Sequence, residues 1–585
     1  MKGLLERLSG LFRSPRDATA SVAGAKASPA LAIQSGIALH QAGRLPEAEA
    51  IYRDVLATDP HHFDALHLLG VAAQQQGDSA RAVELMTHAL AVEPANGQAL
   101  CNIAIAYQGL HRLDDAEASL RKALALQPDW DRAHNALGTT FLARGNLDEA
   151  QACFRRAVAA NPDSAEALAN LGSICKDKGD PDQAEAFYRR ALQLNPQAAE
   201  VCVNLGSVLQ HRGDFGGAED LYRRALTLRP DYAAAHSNLG SVLVMQRRLE
   251  EAEASLRNAL QLSPDDASAK YNLAMGTLLR GDYREGLALY ESRFDALPHE
   301  FAVARATAGS LKRHARWQGD PLSGRRVLVW TEQGLGDALM MMRYLPALKE
   351  RGARSVTVLC DAALDRVMRS LPGVDKVACR IDAIAAESYD THCPIMSLPH
   401  LFGTQLDSIP CRVPYLSVPA AAKSAWRERL SGIAKMKVGL VWAGNSALRD
   451  DARRSITLNQ FAPLREIDGV QLISLQKGGA AAELGQWGSA IADWMDACGD
   501  FMDTAALVDN LDLVIGVDTA VAHLAGALGK PVWLLNRSES EWRWGFERED
   551  TPWYPTMRIF RQERPLEWGS VIARIARELD ARASR

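Results

Sequence analysis

The sequence predicts two architectures in series: an α-solenoid over residues 29–300, then an α/β region of two doubly wound lobes around a cleft. Three observations predict it. Proline recurs at Pro60, Pro94, Pro128, Pro162, Pro196, Pro230, Pro264 and Pro298, a constant period of 34 residues. From 326 onward, short apolar runs alternate with helical patterns, the signature of successive βαβ units. Glycines and acids cluster where strand gives way to helix, above all in Gln333-Gly-Leu-Gly-Asp337 and in Asp518-Thr-Ala-Val-Ala-His523.

Size and charge set the outer bounds. A chain of 585 residues is too long for one core. Its 47% hydrophobic and 23% charged residues are ordinary for a globular protein. A net charge of −5 without a basic stripe argues against nucleic acid. The nine cysteines spell no C-x-x-C pair, so neither a zinc knuckle nor a redox motif is expected. Buried free thiols in a reducing compartment are expected instead, which reads as cytoplasmic. No apolar run is long enough for a transmembrane helix. Residues 1–28 read as a flexible N-terminal segment. Its Leu4, Leu5, Leu8, Leu11 and Phe12 share one helical face, so a partner cap or a weak membrane contact is left open.

Within 29–300 the proline period aligns further columns. Small residues stand at Gly36, Gly70, Ala104, Gly138, Gly172, Gly206, Gly240 and Ala274. Alanines stand at Ala48, Ala82, Ala116, Ala150, Ala184, Ala218 and Ala252, with aromatics four residues on at Tyr52, Phe154, Tyr188 and Tyr222. Each unit is then a pair of antiparallel helices whose small residues allow close approach, with proline opening the connection to the next. The pattern resembles the tetratricopeptide repeat, in about eight units. Asn102, Asn170, Asn204, Asn238 and Asn272 share one column of the first helices, interrupted at Leu68 and Ala136. An amide both donates and accepts, so such a column suits an extended peptide backbone on the concave face; bonding within each repeat is the alternative. Protein O-GlcNAc transferases carry a similar asparagine ladder, and that resemblance implies an acceptor protein held by the repeats.

Residues 301–325 read as a linker, with Trp317 as an anchor for the next domain. The first lobe spans 326–419: strands at 326–330, 355–360, 376–380 and 389–397, and helices at 338–351 and 362–370. The second spans 420–585, with strands at 437–442, 471–475, 513–517 and 531–535. In such sheets ligands bind at the carboxyl ends of the strands. Those ends carry Gly444 and Asn445, Gln476 and Lys477, and Asp518, Thr519 and His523. A helix start at Thr519 suits a phosphate, and Arg453, Arg454 and Lys477 are the cations expected near a diphosphate. No D-x-D occurs in this half and no P-loop motif is spelled, so neither a metal nor a P-loop ATPase is expected. In the first lobe Asp337 is the expected general base, with Glu332 its rival on the same turn.

The two corners, with Pro346 and Pro531, resemble glycosyltransferase family 9, which includes the heptosyltransferases of the GT-B fold with its two Rossmann-like lobes. The resemblance implies Asp337 as base, a donor site lined by Asp518, Thr519 and His523, and a nucleotide sugar as substrate with no cofactor. The segments Glu541-Trp-Arg-Trp544, Thr551-Pro-Trp-Tyr-Pro555 and 557–562 resemble bacterial glycosyltransferases linked to tetratricopeptide repeats, some of which act on flagellin. The expected reaction is inverting, metal-independent transfer of a sugar to Ser or Thr of a protein recruited by the repeats. The alternatives are a glycan or lipid-linked acceptor, with the repeats recruiting other partners, or a non-catalytic repeat adaptor.

Overall fold

The computed structural model describes residues 28–297, 307, 309–311, 314–445, 451–539, 541–546 and 548–585. The amphipathic face expected around Leu4–Phe12 lies outside them, as does most of the linker before 314. The chain divides into two compact units, Met1–Pro230 and Asp231–Arg585.

Among its described residues the first unit holds six antiparallel helix pairs, from Pro29–Gln41 with Leu45–Thr58 to Ala199–Arg212 with Phe215–Leu228. The periodic columns explain the packing. A Cβ added at Gly172 would lie 2.7 Å from the Tyr188 ring, so only glycine lets the aromatic of the second helix lie across the first. Tyr52, Phe154, Tyr188 and Tyr222 are fully buried in this way. Their polar tips stay within the repeat: Tyr188 Oη donates to Ser173 Oγ at 3.0 Å, and Tyr222 Oη to Gln210 Oε1 at 3.0 Å.

The second unit begins with two further pairs, Ala233–Met245 with Leu249–Leu262, and Ala267–Arg280 with a short helix α1, Tyr283–Tyr290. Asp282 caps α1 by accepting the Glu285 N–H. In this last pair the second helix is cut to 8 residues.

Two parallel sheets follow. The first has the order β3-β2-β1-β4, with β1 Arg326–Trp330, β2 Ser355–Leu359, β3 Lys376–Ala378 and β4 Thr391–Pro394. The second has the order β10-β9-β8-β5-β6-β7. Its strands are β5 Met436–Val441, β6 Val470–Ser474, β7 Ile491–Asp493, β8 Leu513–Val517, β9 Val532–Asn536 and β10 Met557–Arg561. This is the two-lobed parallel α/β architecture expected of a GT-B domain. Strand order reverses between β1 and β4 in the first sheet and between β5 and β8 in the second. In sheets of this kind ligands bind at such points, at the carboxyl ends of the strands. Trp317, expected as an anchor for the next domain, is buried; its backbone N–H donates to His392 O on β4 at 2.8 Å and its ring meets Phe402.

One expected helix differs. Instead of one helix over 338–351, α2 (Leu335–Met341) is followed by a 3-10 turn Met342–Tyr344 and a second helix Leu345–Glu350. Pro346 has no N–H to offer and its ring crowds the carbonyl one turn back, so the helix must restart there. It also begins earlier than expected, because Gly334 and Asp337 form its N-terminal cap.

Candidate active site

The Gly-rich corner leaves β1 at the switch point of the first sheet. Asp337 is the third residue of α2, and its Oδ2 accepts the Gly334 N–H at 3.2 Å. Its Oδ1 is ion-paired with Arg543. The carboxylate is thus both a helix cap and one half of an inter-lobe contact, with 21% of the side chain exposed.

The corner of the second lobe leaves β8, a strand buried along its whole length. Asp518 Oδ2 accepts from Trp544 Nε1 at 2.8 Å, and Asp518 Oδ1 lies 3.6 Å from His523 Nε2. Burial alone would raise this carboxyl. The His523 imidazole, the Trp544 indole and the Arg543 guanidinium outweigh it and hold Asp518 below the ordinary carboxylate range. The other His523 nitrogen, Nδ1, bonds Tyr554 Oη at 2.9 Å. Thr519 is the N-cap residue of α3 (Ala520–Ala527), but its Oγ1 is buried and has no partner among the described residues.

The two corners touch. A Cβ on Gly336 would lie 2.8 Å from His523 Cδ2 and 3.5 Å from Ala520 Cα, so the second glycine of the corner is what lets α2 approach α3. Asp337, Asp518, Thr519 and His523 are therefore brought together as expected.

Glu332 is not brought to them, which corrects its placement as a rival base. Its side chain is fully buried, paired with the equally buried Arg293 at 2.9 Å. It accepts the N–H groups of Ile395 and Met396 at 3.1 and 3.2 Å, capping the turn after β4. Burial pushes its carboxyl up to about 7 against the pull of Arg293. The physical reason is the switch point itself: β4 ends beside β1, its freed N–H groups need an acceptor, and Glu332 supplies one.

The remaining expected residues lie at the ends of β5 and β6. Gln476 ties the two ends together, accepting from the N–H groups of Trp442 and Ala443 at 3.1 and 2.9 Å and donating to Ala443 O at 3.0 Å. Gly444 N–H donates to Ser455 Oγ at 3.0 Å, and Asn445 is exposed. Residues 446–450 that follow lie outside the described residues. The expected cations are already engaged. Arg454 Nε donates to Asp451 at 3.0 Å, Arg453 lies 3.4 Å from Glu539, and Lys477 Nζ donates to Cys498 O.

Sequence reasoning missed Arg543, Trp544 and Tyr290. Arg543 is buried between Asp337 and Glu541. Tyr290 closes α1, and its Oη accepts from Gln333 Nε2 at 2.6 Å, bracing the Gly-rich corner from the last repeat. Arg293, just beyond, also donates to Ser397 Oγ at 2.7 Å. Tyr290 could have been found: it is the eighth member of the column Tyr52, Phe154, Tyr188, Tyr222, at the same 34-residue period.

The asparagine column is mixed. Asn102 Nδ2 lies 2.9 Å from His67 Nε2, and Asn170 Nδ2 donates to Asn135 Oδ1 at 3.0 Å. Each amide reaches back to the preceding repeat, where a polar residue stands 35 positions earlier. Ala169 and Val203 hold the corresponding places for Asn204 and Asn238, and these two have no such partner. Asn204, Asn238 and Asn272 are half-buried. In the first unit a groove of ≈ 710 Å³ runs beside the column, lined by Gln108, Arg132, Asn135, Thr139, Glu166 and Asn195 among others.

Comparison with known proteins defines the class. Tetratricopeptide repeat models match residues 33–99, 135–199 and 96–163, and the middle TPR-like domain of cilia and flagella-associated protein 70 matches 168–285. Glycosyltransferase family 9 (heptosyltransferase) matches 499–567, the stretch that holds Asp518, Thr519, His523 and Arg543. The chain therefore joins tetratricopeptide repeats to a family 9 glycosyltransferase domain. Among curated proteins it is similar to Protein FlbA of Caulobacter vibrioides, with 30% identity over 327 residues, 52% of this chain and 53% of FlbA. The chain thus spans about half the length of the curated relative it matches. Among solved structures it is similar to pilF of Pseudomonas aeruginosa (20% identity, TM-score 0.33, 36% of this chain and 95% of that one). It is also similar to a tetratricopeptide protein of Thermus thermophilus (24% identity, TM-score 0.29, 31% and 100%). No helix among the described residues is long and apolar enough to cross a membrane.

Proposed function

We propose that the protein is a cytoplasmic, inverting, metal-independent glycosyltransferase that moves a sugar from a nucleotide sugar to Ser or Thr of a protein held by the repeats. The observation that carries this reading is the meeting of Asp337 with Asp518, Thr519 and His523 at the switch points of two parallel sheets. In the reaction, the acceptor oxygen attacks the anomeric carbon and the bond to the leaving phosphate breaks. The hydroxyl proton passes to Asp337, and the nucleoside diphosphate departs with the bonding electrons. With no covalent intermediate the anomeric centre inverts. The N–H groups at the start of α3 and the unpaired hydroxyl of Thr519 supply donors for the leaving phosphate. The donor is a substrate, and no cofactor enters. The groove of the first unit, lined by the half-buried Gln108 and Arg132 and the exposed Asn195, suits an extended acceptor backbone.

Asp337→Asn tests the base. It should retain nucleotide binding and lose transfer by about 10²–10⁴-fold; unchanged turnover would sink the assignment. Flagellin is the first acceptor to try. Removing 29–230 separates delivery from chemistry: transfer to a short peptide should survive while transfer to intact protein fails. Equal loss of both would remove the repeats from acceptor delivery.

A further inference from the structure

We propose that Arg543 is the cation that takes the donor's diphosphate, and that its ion pair with Asp337 is a resting latch which donor binding opens, freeing the Asp337 carboxylate for the acceptor hydroxyl. This rests on the glycosyltransferase reading above and names the residue that couples its two steps.

Arg543 stands where such a group is needed. It lies on the segment between β9 and β10, next to Trp544, whose indole holds Asp518, and its own guanidinium reaches Asp337 in the other lobe. Its coordination is incomplete. One terminal nitrogen meets Asp337, the other meets Glu541 at 2.5 Å, and the buried Nε has no partner among the described residues. A guanidinium with an unspent N–H binds phosphate through two parallel bonds, which a lysine cannot do. Arg454 and Lys477, expected for this task, spend their charge on Asp451 and on Cys498 O.

The carboxylates around Arg543 each keep another partner when it leaves. Asp337 keeps the Gly334 N–H, Glu541 keeps Arg537 at 3.1 Å, and Asp518 keeps the Trp544 indole. Opening the latch therefore exchanges one charge-assisted pair for another and strands no buried charge. Asp337 and the diphosphate compete for one guanidinium. By linkage, whatever removes Asp337 from the competition must tighten diphosphate binding.

The experiment is calorimetry and thermal shift of the full chain with ADP, UDP and GDP, each against its monophosphate. The wild type is expected to prefer one diphosphate over its monophosphate. Arg543→Gln should lose that preference by about tenfold, and Asp337→Asn should strengthen diphosphate binding by about fivefold or more. The double variant should behave as Arg543→Gln alone. If Arg543→Gln does not fold, Arg543→Lys, which keeps the charge but not the fork, carries the same arm. A diphosphate preference that survives at position 543, or an Asp337→Asn variant that binds diphosphate no better, overturns the latch. A wild type that binds none of the six nucleotides overturns the glycosyltransferase reading, and the latch with it.

Discussion

Tyr188 and Tyr290 hold the same column of the repeat and end in different places. Tyr188 crosses a glycine of its own repeat and gives its hydroxyl to Ser173 one helix away. Tyr290 packs its ring against Tyr271 and Trp542 and takes its hydrogen bond from Gln333, within the Gly-rich corner. The aromatic ring is buried in both. The ring neighbours and the polar tip differ, and in the eighth repeat the tip is spent on holding the turn that carries Asp337. A repeat column can thus become part of an active-site scaffold without any change of residue type, because a tyrosine has an apolar body and one adaptable hydroxyl.

Three pairs of substitutions would break or sharpen that contrast. The largest effect is expected at the ion pairs. Arg293→Met leaves the fully buried Glu332 without its cation and should cost about 3–5 kcal/mol. Arg189→Met, in a pair whose arginine is 61% exposed, should cost about 1 kcal/mol or less. Denaturant titration of each variant measures both. The pH dependence has a defined sign. Glu332, raised from 4.5 to about 7, binds its proton more tightly folded than unfolded. Its contribution is therefore full below pH 4.5 and is lost as pH rises through about 7, and Glu332→Gln should flatten that slope.

Next come the glycines. Gly336→Ala and Gly172→Ala place a Cβ 2.8 and 2.7 Å from a neighbouring ring, and each should cost about 1–3 kcal/mol. Only Gly336→Ala, by pushing α2 from His523, should also weaken nucleotide binding; equal binding by both would deny that the corners act together. The smallest effect separates the tyrosines. Tyr188→Phe and Tyr290→Phe should each lose about 1 kcal/mol. Hydrogen exchange should quicken at 333–337 in the second alone, and protection there unchanged would show that Tyr290 does not brace the corner.

Much of this was legible in the chain. A 34-residue period is a statement about stacking, since each unit must bury the same face against the next, so the repeats and their columns could be read directly. The strands 327–330 and 513–517 could be read because strands covered on both faces are continuously apolar. β7 could not, since Ile491–Asp493 is three residues long and ends on an acid. The helix after β1 starts earlier than the sequence suggests because its cap lies hidden in the glycines, and it breaks before Pro346.

The site divides along the same line. Asp337, Asp518, Thr519 and His523 were recognisable from sequence because each is tied to a local event, a strand ending and a helix beginning. Arg543 was not, because its partner Asp337 lies 206 residues away and nothing local records the pairing. Glu332 and Asp337, close together on one turn, look alike in sequence. Only the tertiary structure turns one into the cap of a neighbouring strand's end, sealed from water by Arg293, and leaves the other at the meeting of the lobes. The sequence by itself determined which segments fold and which chemistry they carry. The tertiary structure decided which carboxylate and which cation face each other, because burial and charge pairing depend on what the rest of the chain brings within a few ångströms.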